Sequence, residues 1–197
     1  MYSCASFRVQ FEADGLRFID YRYPPAVCYP NGKINLTDII DVSDDHPPRL
    51  RVRPRDVLFV TRTQTEELRT FAKEHQIPIV DRYDPWSYVL EPFLDTSFTE
   101  EDERRTNQLL KYNGINETQL REWRDRFKST MRSYNLDSGL WEWVNLGATD
   151  LLDAHLGLLA SLRFKLSEAK FSELYRTVID VLFDAKEVIP NAIPAMP

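Results

Sequence analysis

Apolar and polar residues alternate from Ser6 to Glu12, with Phe7, Val9 and Phe11 set against Arg8, Gln10 and Glu12. A period of two belongs to a strand with one buried face. Ala13-Asp14-Gly15 has the residue types of a tight hairpin turn. Leu16 to Tyr23 returns as a second strand until Pro24-Pro25 stops it, because proline donates no ladder hydrogen bond. Ala26 to Tyr29 reads as a short strand and Pro30-Asn31-Gly32-Lys33 as a turn. Ile34 to Val42 is a strand whose alternation slips around Asp38, the mark of a bulge or of a short helical turn after Thr37. Leu50 and Val52 alternate with arginines. The unbroken apolar run Val57-Leu58-Phe59-Val60 is that of a central strand buried on both faces.

The period then changes. Thr65 reads as the N-cap of a helix over 65–75, with Leu68, Phe71 and Ala72 on one stripe. Ile77 to Val80 reads as a short buried strand, so 57–80 forms a small βαβ-like unit. Asp84-Pro85 is a cap and first-turn proline for a helix starting at Trp86. From Thr99, a cap followed by acids in the first turn, the chain is helical. Asn113-Gly114 stops the first helix, and Asn116 with Gln119 opens the next, striped by Leu120, Trp123 and Phe127. Leu136 to Leu146 has no decisive period. Thr149 opens a helix carrying Leu152, Leu156, Leu159 and Leu162, with Gly157 inside it. Ser167 opens the last, with Phe171, Leu174, Val178 and Leu182.

The pattern gives an α+β fold class. Residues 1–98 form a mostly antiparallel sheet with one helix and the small βαβ-like unit. Residues 99–197 form a C-terminal bundle of about four helices. The two regions are either separate domains or packed together as one compact unit.

Composition narrows the chemistry. In 197 residues, 43% hydrophobic and 12% aromatic, a core can form without metal or disulfide staples. The net charge of −6 is spread evenly: residues 1–98 carry 12 basic and 15 acidic groups, residues 99–197 carry 13 and 16. No basic domain stands out, which disfavours duplex nucleic acid. Cys4 and Cys28 are not in a CxxC spacing, no apolar leader core follows Met1, and no apolar run reaches the ~18 residues of a membrane span. These features describe a reduced, soluble, cytoplasmic protein. The six glycines are isolated from one another, so GxGxxG and GxxxxGK[ST] are absent and no nucleotide cofactor is expected. His46, His75 and His155 are scattered and form no HExxH, so no metal is expected. Glu168-Ala169-Lys170 matches half of a nuclease signature, but in a helix's first turn.

Three stretches carry candidate chemistry. The segment 81–95 sets Asp81, Asp84, Glu91 and Asp95 beside Tyr83, Trp86 and Tyr88. Carboxylates near aromatics suit general acid–base work or sugar stacking; the same residues also suit a helix cap and an apolar staple between sheet and helices. Arg49, Arg51, Arg53 and Arg55, at every second position, place cations on one strand face. They suit an anionic partner or guard an edge strand. Trp141 and Trp143 flank Glu142 in an apolar run, as at an interface or in helical packing.

The missing catalytic signatures, the acidic balance and the arginine and tryptophan patches point to a non-catalytic protein. It would act by protein–protein interaction, as a regulator, inhibitor, immunity protein or adaptor, with binding at Arg49, Arg51, Arg53, Arg55, Trp86, Trp141 and Trp143. Self-association is also open. The alternative is a hydrolase-like enzyme using Asp81, Asp84, Glu91 or Asp95.

Overall fold

The computed structural model describes residues 7–45, 47–94, 99–137, 146–157 and 162–188. The chain divides into two units. One runs through Tyr83 and takes in the chain from Lys186 onward; the other is Asp84–Ala185.

The first unit contains two antiparallel sheets of three strands. One holds β1 (Arg8–Glu12), β2 (Gly15–Ile19) and β3 (Lys33–Asn35) in that order; the other holds β4 (Ile39–Ser43), β5 (Arg49–Val52) and β6 (Asp56–Phe59). The β1–β2 hairpin closes with Glu12 opposite Gly15. A Cβ at Gly15 would lie 2.1 Å from the Ile34 carbonyl oxygen, so β3 can pair here only beside glycine. The slip around Asp38 is a 3-10 turn at Leu36–Asp38, followed by a register shift between Ile39 and Asp41.

Four sequence expectations change in this unit. Residues 26–29 are turns and not a strand: Ala26 N donates to Tyr23 O and Tyr29 N to Ala26 O, leaving no ladder to offer. Strand β6 is buried throughout, yet it ends its sheet. The outer amide of Phe59 instead donates to the Tyr21 hydroxyl at 3.0 Å. The βαβ-like unit reduces to one parallel bridge, and its partner is Val42 of β4, not β6. Val42 N donates to Pro78 O and Val80 N to Val42 O; Pro78 has no N–H with which to extend the ladder. Finally, Thr65 is not a cap. It is the first residue of α1 (Thr65–Glu74), and its hydroxyl donates back to Arg62 O.

Aromatic edges hold this unit together. Tyr21 meets Phe7, Phe18 and Tyr23 edge-on at ring distances of 5.0, 5.2 and 5.5 Å. Leu16, Leu50, Leu58 and Leu68 of the same unit are fully enclosed, each burial contributing roughly 1.5–3 kcal/mol before chain entropy.

The second unit is helical: α2 (Pro85–Leu90), α3 (Glu100–Tyr112), α4 (Glu117–Asp137), α5 (Ala148–Leu156) and α6 (Glu168–Phe183). Thr99 and Asp102 form a reciprocal capping box, and Gly114 ends the turn after α3 at φ 83°. Trp86 sits in this core. Its ring lies 4.7 Å from Trp123 and 6.1 Å from Phe127, and its indole N–H donates to Val178 O at 3.2 Å. Because α2 is built into that core, the division expected between residues 98 and 99 falls inside this unit. The helix expected to pass through Gly157 ends at Leu156, since Gly157 takes a left-handed φ of 82° and its amide closes on Asp153 O. No helix of the described residues is long and apolar enough to cross a membrane.

Candidate functional site

Two of the candidate acids hold hydrogen-bond donors of their own unit. Asp84 accepts from the Trp86 amide through Oδ1 and from the Ala148 amide through Oδ2. Glu91 accepts the Thr106 hydroxyl at 2.6 Å. Both belong to the helical unit, whereas Asp81 belongs to the first. Asp95 lies outside the described residues, as do Trp141 and Trp143. Asp81 is exposed, and its carboxyl is pushed up to about 6. The largest cause is a hydrogen bond shared with the Asp45 carboxyl, followed by burial and the Asp45 charge, with Arg49 opposing.

The arginines begin as the alternating pattern requires, but their charge turns inward. Strand β5 is the middle strand, so it has no edge to guard. Arg49 is buried and donates to the carbonyls of Arg82 and Tyr83 at 2.6 and 3.3 Å. Arg51 forks onto Asp41, its register partner on β4. Arg82 joins the same carboxylate at 3.1 Å and reaches Glu187 at 3.1 Å. Arg53 and Arg55 are exposed in the turn that follows, with Arg53 donating to Thr37 O. Trp86 is wholly enclosed.

Among the described residues, no three His, Cys, Asp or Glu side chains are placed to hold a metal ion. Cys28 is enclosed, and burial raises its thiol further from ionisation.

A different feature emerges at the outer edge of β1. The register sets Val9 opposite Phe18 and Phe11 opposite Leu16. Phe18 N donates to Gly32 O, on the β3 side. Val9–Phe18 is therefore a pair without mutual hydrogen bonds, and the peptide groups of Val9 point away from β2. The side chain of Gln64 takes them both. It accepts from Val9 N at 2.9 Å and donates to Val9 O at 2.7 Å. A primary amide here reproduces the pairing of a neighbouring strand.

Two residues on, the N–H and C=O of Phe11 point the same way. They face a groove of about 750 Å³ between β1 and α1. Its apolar wall is the edge-on pair of Phe11 and Phe71, 5.5 Å between rings. Glu12, Glu66, Glu67 and Glu74 stand around it, and among the described residues no lysine or arginine lines it. Glu12 is bound by Arg17 and Lys33, which hold its carboxyl below the usual range. Glu66 pairs with Arg69, and Glu67 accepts from Gln64.

The sequence showed the alternation of β1 and the apolar stripe of α1, but not that the two elements meet. The pairing of Gln64 with Val9 spans 55 residues and has no local signal.

Comparison with protein-family models, with curated proteins and with solved structures finds no match for this chain.

Proposed function

We propose that this protein acts by binding another protein, with the groove between β1 and α1 as its docking site. The supporting observation is the outward peptide group of Phe11, which faces an open, partly apolar groove at the end of a sheet. Sheet edges of this kind recruit partners through backbone hydrogen bonds. The alternative acids argue against catalysis by segment 81–95, since Asp84 and Glu91 serve helix caps and helix packing.

The test is affinity capture from the native host, quantified by mass spectrometry. It compares wild type with Thr70→Arg, which places a long cation in the groove wall, and with Arg121→Ala on the exposed surface of α4. A partner held by wild type and Arg121→Ala but lost by Thr70→Arg supports the reading. The same captured set with all three proteins removes the groove as the interface.

A further inference from the structure

Resting on that reading, we infer that the partner contributes an extended, basic segment that adds to β1 as a further strand, with an apolar side chain over Phe11 and Phe71. Three observations converge on this ligand.

The first is the backbone. Phe11 offers one donor and one acceptor in strand geometry, toward the groove, and no described residue takes either. Gln64 already occupies the corresponding groups of Val9. It ends the available edge there and sets the register of whatever pairs beyond it. The added strand is therefore short, centred on Phe11 and the residues beside it.

The second is the wall. Side chains on a strand alternate between faces. An added strand in register with Phe11 directs one residue in two toward the Phe11–Phe71 pair, where an aliphatic or aromatic group is favoured.

The third is charge. Glu67 and Glu74 lie seven residues apart, two turns along the same side of α1, and flank Thr70 and Phe71 in the groove lining. Glu12 and Glu66 have their own cations, but Glu74 pairs with no described residue. Lysine or arginine in the added strand meets complementary charge here. A second copy of this chain would bring its own Glu12, Glu67 and Glu74 against these, so pairing of two β1 edges is opposed.

The experiment uses the whole chain and a short labelled peptide alternating lysine and valine. Two comparison peptides are used: one with glutamate replacing lysine, and one with alternate backbone nitrogens methylated. Titration is followed by fluorescence anisotropy and by amide hydrogen exchange. The lysine–valine peptide should bind saturably, and the glutamate peptide at least about tenfold more weakly. The methylated peptide keeps its charge and should also lose at least about tenfold. The Phe11 amide should gain protection on binding. Reversal at Glu67→Lys with Glu74→Lys should invert the preference between the two charged peptides.

Binding that ignores methylation, or leaves Phe11 exchange unchanged, overturns strand addition. Equal affinity for both charges overturns the basic partner. Concentration-dependent dimers with Phe11 protected assign the edge to a second copy and overturn it as well. If capture from the host still depends on Thr70 while these peptides fail, the partner chemistry is wrong and the groove stands; if both fail, the groove itself falls.

Discussion

Asp84 stands directly against Gly147: a Cβ there would lie 2.8 Å from Asp84 Oδ2. That oxygen accepts the Ala148 amide at 3.1 Å, while Oδ1 accepts the Trp86 amide at 2.9 Å. One carboxylate thus caps both α2 and α5, each at the end where backbone N–H groups lack partners. The same geometry explains why Gly147 has no side chain. A group so engaged fixes the start of two helices and is poorly placed to move protons.

Replacing Asp84 with alanine should therefore remove two caps together and lower stability by about 2 kcal/mol. Gly147→Ala should destabilise by about 1 kcal/mol, because the new methyl displaces the carboxylate. In an Asp84→Ala background that penalty should vanish, giving a non-additive double-mutant cycle by urea denaturation. Additive losses would show that the methyl acts elsewhere.

The fold was legible where local rules act alone. Alternation at Phe7–Glu12, the Asp84-Pro85 start, the Thr99 cap and the Gly114 stop depend on neighbours a few residues away. What escaped depends on distant partners. Ile79 could not be assigned to β4 over β6 from its own residues, because parallel pairing is decided by the crossover. The arginine alternation gave the right face of β5 for Arg49 and Arg51. It could not show that Asp41 and the Tyr83 carbonyl wait there, which turns apparent surface charge into internal ties. The groove was harder still, since its defining contact joins residues 9 and 64. Gly157 misled because leucines continue beyond it at helical spacing, while its own left-handed conformation ends the helix.

Asp81 should make stability depend on pH in an unusual direction for an aspartate. Its folded pKa, about 6, lies above the ordinary carboxylate value, so the folded protein holds a proton that the unfolded chain releases. Stability from this pair is thus present below about pH 4 and lost as pH rises through about 6. Asp81→Asn removes the repulsion with Asp45. It should raise stability by about 1 kcal/mol near pH 8, after allowance for solvent screening of an exposed group. The gain should disappear near pH 4 in thermal denaturation. An equal shift at both pH values would exclude the shared proton as the cause.

His155 should act in the opposite sense. Its Nδ1 faces the Phe164 carbonyl at 3.3 Å, so that nitrogen carries the hydrogen, and the buried Nε2 has no partner among the described residues. Burial is the largest cause of its lowered pKa, opposed by the Phe164 hydrogen bond and assisted by Arg126. The unfolded chain binds the proton more readily, so stability should be lost as pH falls below about 6.5. His155→Gln should flatten the urea-denaturation profile between about pH 7.5 and 5. If wild type and variant lose stability in parallel, the ring is not the group responsible.

Gln64 should carry a share of the stability of the first sheet out of proportion to its exposure. Its amide serves both peptide groups of Val9, and removing it leaves this buried residue of an edge strand with an unmatched donor and acceptor. Gln64→Ala should cost about 1–3 kcal/mol, the penalty of orphaned polar groups. Gln64→Glu should do comparable harm at neutral pH, since a carboxylate can still accept from Val9 N but faces Val9 O and Glu67 without a proton to donate. Amide exchange separates this from general loosening: Val9 should lose protection in both variants, while the Trp86 indole proton, bonded to Val178 in the helical unit, should keep its own. Removing the Gln64 side chain also lengthens the open edge from Phe11 back to Val9. The alanine variant should consequently bind the lysine–valine peptide more tightly without forming dimers, read by fluorescence anisotropy and sedimentation. Unchanged peptide affinity together with unchanged Val9 exchange would mean that the edge is closed by something other than this amide.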